Sequence, residues 1–461
     1  GKGVKSGHVK SIYESEEGCM RIKITNFGPI KEFEFDFSNK LIVTYGDNNI
    51  GKSYAMQVAY LLLKAFMNIP IDEKKMTQVL LDLYHSISNV NSITGNESIL
   101  AEKQEEYKSG IDMYKEISDF IIPQFINSCR NTFGNFDLIL SKNPHIYFTV
   151  RQHSMDIDIK GGTITGRTDN DYREGKSKPI AFGYAEYLYK INPILNDIVL
   201  GIQNEVGQVH FLPASRSGIY SGMNAFGAIV AELSKNRSAL TKKIELPGIS
   251  EPVADYFIAL SGIPNYGAYT SETMDERIKK CCNIIENSIL KGRVIIDKNK
   301  NTLMYAPEGM KVQYSLTEVS SMVSEISPIV AFLKYVLVNK DSNYIDNNGI
   351  LFIEEPEAHL HPNNQLKLME VFAELAQAGI TIVMSSHSNY VFNKLNNLVL
   401  SGKLDYNIYE PILLEKGEDG SVSKLMHIDE CGADDENFID VSEALYNERE
   451  QIIEKLNEGV E

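Results

Sequence analysis

The sequence predicts an α/β fold with a mixed, mainly parallel sheet core, an N-terminal antiparallel β lobe and a helical insertion. Three observations carry this reading. The segments LIVTY (41–45), GILFIE (349–354) and ITIVMSSHS (380–388) are apolar on both alternations, as strands covered on both faces of a parallel sheet are. MRIKITNF (20–27) and residues 32–37 alternate apolar with polar around the turn signal NFGPI, which predicts an antiparallel pair. Amphipathic stretches such as DEKKMTQVLLDLYHSIS and EEYKSGIDMYKEISDFIIPQFINS, between residue 72 and about 133, predict helices inserted after the first parallel strand.

With 461 residues, 43% hydrophobic and 23% charged, the chain is long enough for two or three lobes with cores of their own. Its longest apolar runs, VAYLLLKAFM and SPIVAFLKYVLV, are broken by lysine well short of the roughly 20 residues of a membrane span, so no membrane partner is expected. No charged-then-apolar leader opens the sequence, and its five cysteines lack ligand-like spacing, which together fit a reducing cytoplasm. Residues 1–19 are polar and patternless and read as a flexible extension or an appended remnant. The net charge of −17 is unevenly spread: residues 403–461 hold 17 acidic against 5 basic residues. That acidic end is a solvated face or a dock for a basic partner, and it leaves the body free to carry a basic patch.

The stretch after LIVTY runs Gly46, four residues, then Gly51, Lys52 and Ser53, matching G-x-x-x-x-G-K-[ST] between a strand and the apolar helical segment YAMQVAYLLLKAF. The chemistry needs these residue types. Backbone N–H groups wrap a phosphate only where the chain turns tightly without Cβ clashes, hence Gly46 and Gly51. Asn48, Asn49 and Tyr54 lie in the same loop and helix start, whose N-terminal amides favour an anion. Lys52 would neutralise the β- and γ-phosphates, and the Ser53 hydroxyl would ligate Mg²⁺.

About 300 residues downstream, ILFIEEPEAHLHP places Glu354 and Glu355 at a strand end, and the next apolar strand ends near His387. A carboxylate at such a tip can hold Mg²⁺, and a second can take a proton from attacking water. Glu354 is assigned the metal, Glu355 the base, and His387 the γ-phosphate. Two other readings exist. The glutamates could form a solvated rim, or His359, His361 and His387 a zinc site through the H-x-H pair, but zinc leaves the glycine loop unexplained.

In this order, the loop 46–53, ILFIEEPEAHLHP and the strand-terminal His387 resemble the heads of ABC-type ATPases. The likeness is to the soluble branch with the structural-maintenance-of-chromosomes, RecF and overcoming-lysogenization-defect families. IEEPEAHLHP is most similar to the last of these, whose ATPases are common in bacterial antiphage systems. The resemblance implies ATP and Mg²⁺ as cofactors and makes Glu357–Pro362 a D-loop that touches a neighbouring subunit. It also implies that the N-terminal strands cover the base. Gly28 and Pro29 stand where relatives often carry a basic residue, so base contacts stay unassigned.

The family places a serine-bearing signature helix before the second strand, and SLTEVSSMVSEISPIVAFLKYVLV (315–338) falls there, with Ser320 and Ser321 placed as helix N-caps and Met322 where glycine is more usual. The resemblance then implies composite sites, with the loop of one subunit facing the signature of another and ATP joining the heads. No heptad run fills the interval between loop and signature, so a compact insertion replaces a coiled-coil arm. In it, HIYFTVRQHSMDIDIKGGTITGRT reads as a strand meander. In VHFLPASRSGIY (209–220), Arg216 either reaches a phosphate or partner or is simply a surface residue. Gln57, Gln152 and Gln208 are candidates for the family's glutamine loop.

The domain reading is 1–19 extension, 20–71 first part of the head, 72–205 helical and β-meander insertion, 206–290 mainly helical lobe, 291–402 second part of the head, and 403–461 acidic hairpin and helices. The stretch after His387 is too short for the Toprim nuclease domain that some relatives append, so no intrinsic nuclease is expected. The resemblance narrows to stand-alone ATPase subunits like those of the PARIS and Septu systems. It implies an oligomer of head pairs holding a separately encoded effector, with nucleic acid or a phage protein as trigger. The alternative is a DNA repair or recombination ATPase that binds duplex.

Overall fold

A computed structural model describes residues 20–68, 113–168, 198, 201–202, 206–222, 248–263, 276–297, 302–337, 349–434 and 446–453. The helix expected from DEKKMTQVLLDLYHSIS lies outside the described residues. In chain order the elements are β1 (Met20–Phe27), β2 (Ile30–Asp36), β3 (Leu41–Tyr45), α1 (Lys52–Met67), α2 (Met113–Thr132), α3 (Phe136–Ser141), β4 (His145–Val150), β5 (His153–Asp158), β6 (Thr163–Thr168) and β7 (Gln208–Leu212). There follow α4 (Glu251–Gly262), α5 (Glu276–Ile284), β8 (Gly292–Asp297), β9 (Thr302–Pro307), β10 (Tyr314–Ser315), α6 (Ser321–Ala331), β11 (Gly349–Glu354), α7 (Pro362–Gln377), β12 (Thr381–Ser386), α8 (Asn389–Leu400), β13 (Tyr409–Gly417) and β14 (Gly420–Leu425). The chain divides into two compact units, Gly1–Ser38 with Gln57–Val209 and Asn39–Met56 with His210–Glu461.

The first unit holds an antiparallel sheet in the order β6-β5-β4-β1-β2. Its register follows from sequence alternation: Ile22 faces Phe35 and Phe148, Ile24 faces Phe33 and Ile146, and all six are buried. Side chains on the opposite face, such as Lys23 and Glu32, pair at 2.8 Å instead. β2 begins at Ile30, two residues earlier than the alternation predicts, because Asn26 and Gly28 adopt positive φ (53° and 59°) and close the turn sooner. The meander expected from HIYFTVRQHSMDIDIKGGTITGRT is β4-β5-β6. Helix α2 is tied to it by the Ser118 hydroxyl, which donates to Gly162 O at 3.3 Å and accepts from Ile164 N at 3.2 Å.

The second unit holds the sheet order β14-β13-β3-β12-β11-β7. The strands β13, β3, β12 and β11 are mutually parallel, and every residue of β3, β11 and β12 is buried. This is why their sequences are apolar on both alternations. Helices α5, α6, α7 and α8 contribute Cys281, Ile326, Ile329, Leu368, Phe372, Val391 and Leu395 to one apolar core with these strands. Both α5 and α6 run on into a π-helical turn, Ile285–Leu290 and Phe332–Val336. The hairpin expected within 403–461 is β13-β14, with Gly417 paired to Gly420 at its turn. Among the described residues no helix is long and apolar enough to cross a membrane.

Removing side-chain bulk from Ile353, fully buried in β11, is expected to cost about 3 kcal/mol of unfolding free energy as Ile353→Ala in a denaturant titration. Leu400→Ala, on a side chain 64% exposed, changes it by less than about 0.5 kcal/mol.

Candidate functional site

In the second unit the parallel register pairs Ser386 with Tyr45 and Glu354 with Ser385. The residues that leave these strands at their C-terminal ends, Gly46, Glu355 and His387, therefore emerge at one edge, where ligands of open α/β sheets bind. Three backbone conformations shape the edge. Gly46 has φ 139° and Gly51 φ 111°, and Asn49 sits at φ 62° between them. A Cβ on Gly46 would lie 2.5 Å from Leu414 O and 2.8 Å from Ile50 Cδ1, so no larger residue fits this turn. Asn48 and Asn49 are exposed on the loop, and Tyr54 is half-buried in the first turn of α1.

Lys52 is only 6% exposed. Its ammonium donates to Gly46 O at 2.8 Å and Asp47 O at 2.7 Å, and its Nζ lies 3.3 Å from His387 Nδ1. On the other side of the imidazole, His387 Nε2 lies 3.3 Å from Glu355 Oε1. A ring protonated on Nε2 satisfies both contacts, accepting from Lys52 and donating to Glu355. Burial pulls the Lys52 pKa down to about 8, against the opposing charges of Glu355, Asp47 and Glu357. The hydrogen bond from His387 holds the Glu355 carboxyl below the usual range, with burial working the other way. Glu355 itself stands at φ 43°, a strained conformation for a side chain with a Cβ.

Glu354 points elsewhere. Its Oε2 accepts from Ala214 N at 3.0 Å, and the Ser53 hydroxyl is a second partner. Burial raises its pKa, these two donors opposing. Ser53 and Glu354 thus present a hydroxyl and a carboxylate side by side, hard oxygen donors of the kind Mg²⁺ takes. Among the described residues no group of three or more His, Cys, Asp or Glu could hold a metal ion by themselves. His361 is used locally instead, its Nδ1 accepting from Asn363 N at 3.3 Å to cap α7, and His359 sits in a turn at φ 63°.

Three residues that the sequence reading did not place in the site belong beside it. Glu357 is buried, and its Oε1 accepts from Ser386 Oγ at 2.6 Å and from His387 N at 3.0 Å, which fixes the backbone that carries the imidazole. Arg216 is fully buried, which corrects the surface reading: the chain turns at Pro213 and Ser215 (φ 55°) and carries it inward. Its partner is the equally buried Glu325 of α6, with Nε and Oε2 3.3 Å apart. A lone acid inside the apolar run VSEISPIVAF was the signal for such a pair.

Ser320 is the N-cap residue of α6, but its side chain makes no capping hydrogen bond, contrary to the expectation from its residue type. Ser320 and Ser321 are both exposed, and the Ser324 hydroxyl turns back onto the carbonyls of both at 3.2 and 3.1 Å. Met322 Sδ accepts from Asn364 Nδ2 of α7 at 3.5 Å. Of the glutamine-loop candidates, Gln57 lies in α1, Gln152 in the turn between β4 and β5, and Gln208 at the start of β7.

Residues 239–392 match the model of an AAA ATPase domain. The match spans α6, β11 and β12 with Glu354, Glu355 and His387, and leaves the glycine loop outside it. It supports an ATPase domain in this stretch. Among solved structures, the chain is similar to the SMC head domain from Thermotoga maritima (9% identity, TM-score 0.37, covering 89% of this chain and 99% of that one). It is also similar to an Smc head domain with an extended coiled coil bound to the C-terminal domain of ScpA, from Pyrococcus furiosus (11% identity, TM-score 0.38, covering 96% and 100%). A comparison with curated proteins finds no match.

The loop geometry makes a paired prediction. Gly46→Ala should destabilise the protein by about 2 kcal/mol or more in thermal unfolding, since both φ and the Leu414 carbonyl oppose a Cβ. Gly218→Ala, whose Cβ meets nothing within 4 Å in the helical stretch 216–222, should be neutral or stabilising by less than about 1 kcal/mol.

Proposed function

We propose that this chain binds and hydrolyses ATP at the edge built by Gly46–Tyr54, Glu354, Glu355 and His387. The observation that carries the reading is the convergence, from segments some 300 residues apart, of Lys52, His387 and Glu355 in one line of contacts, with Ser53 on Glu354 beside it. The glycine loop offers its N–H groups and the start of α1 to phosphate. Lys52 supplies the cation. Its ammonium exchanges the Gly46 and Asp47 carbonyls for phosphate oxygens. Ser53 and Glu354 would hold Mg²⁺, which supplies neutralisation of phosphate charge when bound.

Glu355 is ionised at neutral pH, because His387 favours its charged form, and so can accept a proton from water. His387, held by Glu357 through its backbone, orients that carboxylate and lies within reach of Lys52. The exposed Ser320 and Ser321, and an N-cap residue of α6 whose own side chain makes no capping hydrogen bond, favour a site completed between two copies, each offering its α6 to the nucleotide of the other. ATP then links binding to pairing of heads.

We infer further that the paired heads act as sensor and scaffold for a separately encoded effector, a nuclease or toxin, in bacterial antiphage defence. IEEPEAHLHP and the absence of heptads between loop and signature support this reading. Co-purification of a protein encoded beside this chain, released on ATP turnover, is the expected result. Steeply salt-dependent binding of duplex DNA that stimulates hydrolysis would instead favour the repair reading.

Lys52→Ala should lower ATP affinity by roughly 100-fold or more. Glu355→Gln should keep affinity within about 3-fold, cut turnover by roughly 100-fold, and accumulate paired heads in Mg-ATP by size-exclusion chromatography. Wild-type turnover in Glu355→Gln contradicts the base assignment.

A further inference from the structure

The segment between β7 and the helical stretch 216–222 touches both ends of the proposed chemistry. Arg216 Nη1 donates to Glu354 O at 2.8 Å and to Pro213 O at 3.1 Å, and Nη2 to Glu355 O at 3.4 Å. The same guanidinium donates from Nε to Glu325 O at 3.0 Å. The Glu325 carboxylate is held in return: Oε2 accepts from Arg216 N at 3.0 Å, and Oε1 from Ser217 N at 3.1 Å and Ser217 Oγ at 2.6 Å. Ala214 N, two residues before Arg216, holds the carboxylate of Glu354.

A fully buried ion pair is a poor way to stabilise a core, because desolvation offsets its attraction and apolar residues of similar volume do as well. Here the pair has a geometric consequence that apolar residues lack. The planar fork of one arginine binds the last two carbonyls of the β11 tip, and hence the peptides that set Glu355 at φ 43°, and binds α6 one turn below Ser321. The tip and α6 cannot move independently while these bonds persist.

We propose that Arg216 is a positioning residue that couples the α6 N-terminus to the Glu355 carboxylate, so that hydrolysis at one site of a head pair depends on what α6 of the same chain engages. This rests on the reading of the site as an ATPase completed between two copies. α6 reaches toward nucleotide held by the second copy, while Glu355 acts on nucleotide held by its own chain. Arg216 carries the position of the first to the second, through Glu325 on one side and the Glu354 and Glu355 carbonyls on the other. No part of Arg216 touches nucleotide in this scheme.

The test is a double-mutant cycle on turnover with Arg216→Lys and Ser321→Ala, alongside nucleotide affinity and the Hill coefficient for ATP. Lysine keeps the charge but its single ammonium cannot serve four carbonyls. The expected result is a turnover loss of about 10-fold in Arg216→Lys, with affinity within about 3-fold of wild type. The Hill coefficient should fall from above 1 to about 1, and Ser321→Ala should cost markedly less in the Arg216→Lys background than alone. Ser217→Ala removes only one bond to Glu325 and serves the same cycle if Arg216→Lys fails to fold, with a loss of about 3-fold.

Unchanged turnover, fold-losses that simply multiply, or a wild-type Hill coefficient of 1 overturns the coupling. If Lys52→Ala retains ATP binding, the ATPase reading itself fails. If Lys52→Ala loses binding while the cycle multiplies, only the coupling fails.

Discussion

The parallel register of β13, β3, β12 and β11 is the constraint on which the site depends. Because Glu354 lies beside Ser385, and Ser386 beside Tyr45, the residues that leave these strands arrive together although the chain separates them by more than three hundred positions. The pairing is fixed by burial: each of the three central strands is covered on both faces, and a shift in pairing would misalign the chain exits even where it left the apolar contacts intact. The grouping of these residues is a consequence of where strands stop.

Around that edge the protein keeps five charged side chains away from water. Lys52, Arg216, Glu325, Glu354 and Glu357 are all buried, and each is hydrogen-bonded, with Glu357 Oε2 an orphan atom among the described residues. Such charges add little net stability, since desolvation consumes most of their attraction. What they supply is preorganisation. Carboxylates held by fixed donors are already in place when a charged ligand arrives, Lys52 alone exchanging its carbonyl acceptors for the ligand, and the low local dielectric strengthens their effect on it. The strain at Glu355, the raised carboxyls of Glu354 and Glu357 and the lowered ammonium of Lys52 are the signs of that arrangement.

Much of this was legible in the amino-acid sequence. Apolarity on both alternations marks buried parallel strands, alternation marks the antiparallel lobe, and the spacing of Gly46, Gly51, Lys52 and Ser53 is a short-range pattern with a mechanism. The interior network was not. Arg216 reads either as a residue that reaches a phosphate or partner or as a surface residue, neither of which is a buried ion pair, and the three-dimensional return of Glu325 makes its burial tolerable. Glu357 acts through the backbone of His387, a contact that sequence spacing does not encode. The missing cap on α6 is a similar case: serine has the right chemistry for an N-cap, yet the Ser320 hydroxyl makes no such bond. A residue type licenses an interaction, and packing decides whether it forms.

The central claim is that one triphosphate joins two copies. A structure of the Glu355→Gln protein with ATP and Mg²⁺ tests it most directly. The account predicts the γ-phosphate within hydrogen-bond distance of Lys52 in one copy and of the Ser321 end of α6 in a second. A triphosphate enclosed within one chain, or bound away from the Gly46–Ser53 loop, would contradict it.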